Sequence, residues 1–176
     1  MFLLFGLLQG WAASLAGVSL PDTVNVADQT LILNGIGLRE KFWVDVYVAG
    51  LYLPEKNKNG LDIIRAEVPK RISIEFIYHS VSKEKMKNTL EDNLRQNPEL
   101  EKSVRPKMKR AYAWFEDFRA KDTLIFEYIP NKGTTIFINQ QKKGVIEGSD
   151  FMTAIFTIYL GPNPASEPLK KKLLGL

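Results

Sequence analysis

The chain has 176 residues, 45% of them hydrophobic and 25% charged, with a formal net charge of +4 from 24 basic and 20 acidic side chains. Those figures fit one globular domain with a substantial core and exclude bulk disorder, and the charge excess is too small to argue for nucleic acid as a partner. With no cysteine and one histidine, His79, disulfides, thiolate metal sites, cysteine nucleophiles and a cysteine-linked lipid are excluded, a zinc site or histidine triad would have to be built around a single ring, and no metal or cofactor is expected.

The opening segment, MFLLFGLLQGWAASLAGVSLP, carries no charged side chain before Asp22. Its apolar run ends in small residues, and Ser14-Leu15-Ala16 fits a small-x-small cleavage pattern before Gly17. Residues 1–16 are therefore expected to be a signal peptide and residues 17–176 a single exported domain, periplasmic or secreted, although the usual positive n-region is missing. The run is too short for a transmembrane helix with a stop-transfer pattern, so no stable membrane span is expected after signal removal.

Residues 22–26 and 30–34 flank Ala27-Asp28-Gln29, a hairpin pattern around an Asp-containing turn. Gly35-Ile36-Gly37 follows in extended sequence. No third glycine and no helix come after it, as a dinucleotide fingerprint would require, so the glycines indicate a bulge or a close backbone approach. Residues 42–53, rich in Val, Tyr and Trp, predict one long strand, and residues 54–60 a polar loop. A short helix is expected over 61–66 and a half-buried strand over 71–78, where Ile72, Ile74, Phe76 and Tyr78 alternate with Arg71, Ser73 and Glu75.

Ser82 is a suitable N-cap for a helix running to about Asn97, with Met86, Leu90 and Leu94 as its sparse apolar stripe. A second helix after Pro98 is expected to take in Met108, Ala111, Tyr112, Phe115 and Phe118 at three- and four-residue spacing. Strands follow over 124–129, 134–139 and 142–146, the first two joined by Pro130-Asn131-Lys132-Gly133. Ser149 is expected to cap a helix over 150–160 that Gly161-Pro162 stops, and a last helix over 167–174 places Lys170, Lys171 and Lys172 at its negative end. Strands and helices come in blocks, which predicts an α+β fold: a large, mostly antiparallel sheet with a layer of helices on one face.

The basic residues Lys102, Arg105, Lys107, Lys109 and Arg110 are interleaved with Glu99, Glu101, Glu116 and Asp117, the pattern of a solvated helix face. His79 ends a strand and is expected to be partly exposed there. Arg39, Asp45 and Tyr47 are more informative. In a regular strand Trp43, Asp45, Tyr47, Ala49 and Leu51 share one face, which would bury the Asp45 carboxylate among apolar neighbours unless it is paired. Arg39 can pair with that carboxylate or with one brought by a ligand. A straight chain separates Arg39 from Tyr47 by about 26 Å, so they meet only if it turns near Glu40.

The stretches LNGIGLREKFWVDVYVAGLYL, SIEFIYHSVSKEKM, DTLIFEYIPNKGTTIF and GVIEGSDFMTAIFTIYLGPNPASEPLKKKLLG together resemble the chalcone isomerase fold family over nearly all of residues 22–176. They look most like its exported bacterial chalcone isomerase-like branch. The resemblance implies a large antiparallel sheet, a helical layer, and a ligand cleft between them. Plant isomerases of the family close a chalcone to a flavanone by intramolecular oxa-Michael addition, and an arginine in a Gly-x-Gly-x-Arg element steers the phenolate; Arg39 matches it. Tyr47 stands where those enzymes place a threonine, Met86 where they place a helix tyrosine, Asn93 where they place an asparagine, and Ile158 where they place a Thr or Ser.

Methionine and isoleucine cannot donate a hydrogen bond or position water, so the oxyanion support of an isomerase is thinned to one arginine. An arginine with a tyrosine at the threonine position resembles instead the fatty-acid-binding members, where the pair holds a carboxylate beneath an apolar tunnel. The reading is a non-catalytic, monomeric, exported protein that binds a small apolar carboxylate such as a fatty acid through Arg39 and Tyr47. Its alternatives are an isomerase or lyase acting on a phenolic or enone substrate through Arg39 and Asn93, and a structural envelope protein with a filled core and no ligand.

Overall fold

The computed structural model describes residues 12–176. In chain order these form β1 (Ala12–Leu15), β2 (Val18–Pro21), β3 (Thr23–Val26), β4 (Gln29–Lys41), β5 (Val44–Leu53), α1 (Gly60–Arg65), β6 (Lys70–Phe76), α2 (Lys83–Leu94), α3 (Pro98–Tyr112), β7 (Thr123–Ile129), β8 (Gly133–Ile138), β9 (Gln141–Ile146), α4 (Ser149–Leu160) and α5 (Glu167–Leu173). Strands β3 to β9 make one seven-stranded sheet in sequential order, and every neighbouring pair is antiparallel. The α+β class, the antiparallel sheet and the one-sided helical layer agree with the expectation.

Alternation builds the two faces. Tyr47, Ala49, Leu51 and Leu53 of β5, with Ile72, Ile74 and Phe76 of β6, face the helices and join side chains from all five of them in one core. Helix α4, SDFMTAIFTIYL, is apolar around most of its circumference, and nine of its twelve residues are buried, which makes it the central helix of the layer. On the opposite face, Val18 and Leu20 of β2 cover Val48, and Tyr52 donates to the Pro21 carbonyl at 2.9 Å. That cover is the separate β1–β2 hairpin. The expected leader boundary at Ala16 thus falls in the β1–β2 turn, and residues 1–11 of that leader lie outside the described residues.

Three local expectations change. The single strand expected over 42–53 is instead a hairpin end: Phe42 and Trp43 form a two-residue turn and β5 begins at Val44. Ser149 does not cap α4; Gly148 does, with φ at 86°, while Asp150 in the first turn accepts from Lys107 at 2.6 Å. Helix α3 stops at Tyr112, and Phe115 and Phe118 reach the core from the following loop, where Phe118 pairs backbone with Val81. Ser82 does cap α2, accepting from the Lys85 N–H at 3.2 Å.

Gly35 and Gly37 are where helix α5 lies directly on β4. A Cβ on Gly35 would collide with the Lys172 and Leu173 carbonyls, and one on Gly37 would stand 2.8 Å from the Leu169 side chain. Close approach is therefore the role of both glycines, with a bulge beside the first, at Leu33/Gly35. This seating holds α5 against the strand that carries Arg39.

Candidate functional site

Arg39 and Tyr47 are direct cross-strand partners in the β4–β5 hairpin, which puts their Cα atoms about 5 Å apart. The chain reverses at Phe42-Trp43, slightly beyond Glu40. A register shift at Arg39/Glu40 pairs Glu40 with Asp45 and Arg39 with Tyr47, leaving Val46 as the extra residue of a bulge. That extra residue breaks the alternation assumed for 43, 45 and 47. Asp45 is consequently exposed, as is Trp43 in the turn, while Tyr47 is buried. The anticipated burial of Asp45, and with it an Arg39–Asp45 pair, does not occur.

The row continues inward. Tyr47 pairs with Phe76 of β6 and meets its ring edge-on at 5.8 Å between centroids, and Phe76 stacks on Phe118 at 4.3 Å. Tyr159, near the C-terminal end of α4, comes down onto the same spot. Its hydroxyl is buried and has no hydrogen-bond partner of good geometry, yet it lies close enough to the Tyr47 hydroxyl and the Arg39 guanidinium to feel both. Burial raises the Tyr47 hydroxyl above its ordinary value, opposed by the nearby Arg39 charge and the Tyr159 hydroxyl. Burial and the neighbouring Tyr47 push Tyr159 well above the ordinary range, with Arg39 opposing. Both tyrosines are therefore neutral donors at neutral pH.

Arg39 itself donates from Nη1 to the Glu40 carbonyl at 2.7 Å. Among the described residues it forms no ion pair. It opens on a cleft of about 450 Å³ between the hairpin end, the segment after β6 and helix α2, where Val46, Tyr47, Tyr78, Val81 and Met86 supply apolar wall. Lys85, Thr89 and Asp92 of α2 give the rim its polar groups. A cation with hydroxyls beside it, at one side of a largely apolar wall, is chemically suited to an anion carrying an apolar body.

The other residues singled out in the sequence lie differently. Met86 lines this cleft and is buried. Asn93 does not line the cleft, although its neighbour Asp92 does; its side-chain amide donates to the Thr89 carbonyl within α2 at 2.8 Å. Ile158 is buried in the core, and the hydroxyls of that helix end belong to its neighbours Thr157 and Tyr159. Sequence reasoning passed over Tyr159, although a tyrosine in an otherwise apolar helix is a signal, because its hydroxyl must find a partner or a purpose. His79 is exposed beyond the end of β6, 4.2 Å from the Tyr78 ring between centroids. A slightly larger cleft, about 520 Å³, runs between α2 and α3. Three ion pairs run along its rim, Lys87–Glu84 at 3.7 Å, Arg95–Glu91 at 3.9 Å and Arg105–Glu101 at 2.6 Å, and Lys83 and Lys109 add two cations.

A sequential antiparallel sheet with one helical layer, and an arginine–tyrosine pair at a cleft between them, define a member of the chalcone isomerase fold class. The chain belongs to the chalcone isomerase-like family, whose model matches residues 12–175. A crystal structure of an Arabidopsis thaliana fatty-acid binding protein shares the fold, with a TM-score of 0.75 over 93% of this chain and 96% of that one, at 15% sequence identity. A search of curated protein sequences gave no match. Among the described residues no helix is long and apolar enough to cross a membrane.

Proposed function

We propose that this protein binds a small apolar carboxylate, of the fatty-acid type, with its headgroup on Arg39. One observation carries the reading: a guanidinium with no carboxylate partner among the described residues stands beside two buried tyrosine hydroxyls, one of them unpartnered. A carboxylate there accepts from the Arg39 fork and from Tyr47 or Tyr159, and satisfies the orphan hydroxyl. Its apolar body lies along Val46, Val81 and Met86. The volume falls within the roughly 300–1,000 Å³ of small-molecule sites. The similarity of the fold to that of a fatty-acid binding protein is consistent with this reading.

No catalysis is included, because methionine and isoleucine stand at 86 and 158, where the isomerases the sequence resembles place hydroxyls. Native mass spectrometry of protein purified from its own host tests the proposal directly. A co-purified acid is expected; a protein that carries none and gives no heat with any long-chain acid refutes it. Export remains part of the proposal, on the strength of the uncharged apolar opening segment. The N-terminal mass of exported protein reads it, and an end at Gly17 would remove strand β1.

A further inference from the structure

The hairpin that carries Arg39 and Tyr47 ends in two exposed aromatic side chains. Phe42 and Trp43 span the turn between the paired residues Lys41 and Val44, with left-handed φ values of 51° and 60°. They are 81% and 90% exposed, the two most exposed large apolar side chains among the described residues. Left-handed backbone disfavours bulky residues, and a turn of this kind ordinarily takes Asn, Asp or Gly. The fold builds three other two-residue hairpin turns with left-handed backbone: Ala16-Gly17 between β1 and β2, Ala27-Asp28 between β3 and β4, where Ala27 is the left-handed residue, and Asn139-Gln140 between β8 and β9. Neither the turn nor the core therefore requires aromatics at 42 and 43. The same residues border the site: Lys41, Phe42 and Val44 line the cleft that leads to Arg39.

We infer that the Phe42–Trp43 turn is a lipid-docking tip. It inserts into the interfacial layer of a bilayer and sets the mouth of the Arg39 cleft against the membrane, from which an amphiphile enters. A protein partner fits less well. Two such side chains expose on the order of 350 Å², less than half of the roughly 800 Å² per side that a stable protein interface buries. They also project from a hairpin end and do not form a broad face. A bilayer needs no complementary surface, and aromatic rings settle at its headgroup level with the indole N–H still hydrated. The adjoining charges cancel, Arg39 and Lys41 against Glu40 and Asp45. Insertion of the rings, not attraction to anionic headgroups, is then the driving force, and docking is expected on a zwitterionic surface with little salt dependence.

This inference rests on the carboxylate reading for the ligand's identity but not for the docking itself. The test uses the full chain with Trp11→Phe and Trp114→Phe, which leaves Trp43 as the sole tryptophan of three. On phosphatidylcholine vesicles with brominated acyl chains, Trp43 emission is expected to shift to shorter wavelength and fall about twofold or more. Reading Trp43 itself separates the tip from any contribution of the apolar opening segment. Unquenched Trp43, whether the chain is on the vesicles or free, overturns the inference. In the wild-type background, Trp43→Asn suits the turn and is expected to keep the acid affinity in solution while slowing acid uptake from vesicles severalfold; an unchanged uptake rate also counts against the tip. Acid binding in solution with unquenched Trp43 sinks the docking and spares the cleft. Quenched Trp43 in a chain that binds no acid does the reverse.

Discussion

Arg39→Gln is the sharpest perturbation of the proposed site. Glutamine keeps a polar side chain of similar reach and removes the charge and the fork. A carboxylate on the guanidinium makes two charge-assisted hydrogen bonds where glutamine offers one neutral bond, so the expected loss is about 3 kcal/mol, or roughly 150-fold in Kd. Arg39 is half-buried at the cleft side, so water screens part of that, and the lower half of the range, about 30- to 150-fold, is the working expectation.

The fold should hardly notice the change. In the free protein the Arg39 side chain makes one hydrogen bond, to the exposed Glu40 carbonyl, and forms no ion pair among the described residues, which limits the stability cost to about 0.5 kcal/mol. The assay is calorimetric titration of wild type and variant with a saturated long-chain acid and with its methyl ester. The acid should lose affinity in the variant, and the ester, which has no charge to lose, should bind both proteins equally and weakly. A loss of less than about threefold for the acid, or an equal loss for acid and ester, would refute the assignment of the headgroup to Arg39.

Tyr159→Phe removes a buried hydroxyl that lacks a partner, so stability in urea should hold or rise by up to about 1 kcal/mol while acid affinity falls about tenfold. A destabilised variant would mean that the hydroxyl is satisfied in the free protein. Lys70→Met should cost about 2 kcal/mol, because the buried ammonium donates to the Ile63 and Ala66 carbonyls at 2.6 and 2.7 Å and closes the C-terminal end of α1. Burial lowers Lys70 to about 8 from 10.5. The unfolded chain therefore binds more protons between those values, and wild-type stability relative to Lys70→Met should rise, not fall, as pH climbs from about 8 to 10.5. Gly35→Ala should cost about 2–4 kcal/mol by driving a methyl group into the α5 backbone; a urea midpoint within error of wild type would mean that α5 is not seated there.

Period-two alternation made most of the sheet readable in the sequence. Ile72, Ile74 and Phe76 fall on one face of β6 as their spacing dictates. What alternation cannot carry is an added residue. The bulge at Val46 has no composition of its own, and it moves Asp45 out of the face predicted for it. The turn at Phe42-Trp43 was hidden for a related reason, since its residues are strand formers without the Asn or Gly that marks such turns. Lys70 and Tyr159 were passed over because each is intelligible only through tertiary partners: the α1 carbonyls for one, and Arg39 with Tyr47 for the other. The β1–β2 hairpin was obscured by an apolar N-terminal composition that serves a leader and a covering strand equally well.

The places where local rules fail are unevenly distributed, and that unevenness argues for the site independently of the family. Lys70 shows what the fold does with a buried polar group it uses structurally: three carbonyls surround the ammonium. At the Arg39 end the opposite holds. Within one hairpin and the helix end above it lie a strand bulge, two aromatics on left-handed backbone, a guanidinium with only a neighbouring carbonyl as acceptor, and an orphan tyrosine hydroxyl. Thr123 and Thr134 also carry buried hydroxyls without partners, but a threonine oxygen sits close to the backbone and rotates among several acceptors. The Tyr159 oxygen stands at the far end of a rigid ring and has no such choice. Tyr112 is the comparable case; it borders the α2–α3 cleft, where Lys83 and Lys109 also form no ion pair among the described residues, but the lining of that cleft offers no second hydroxyl beside it. At Arg39, among the described residues, an unpaired cation converges with two buried tyrosine hydroxyls, one of them without a partner. A carboxylate bound as proposed would satisfy both the cation and that hydroxyl, which is why Tyr159→Phe is expected to separate stability from affinity.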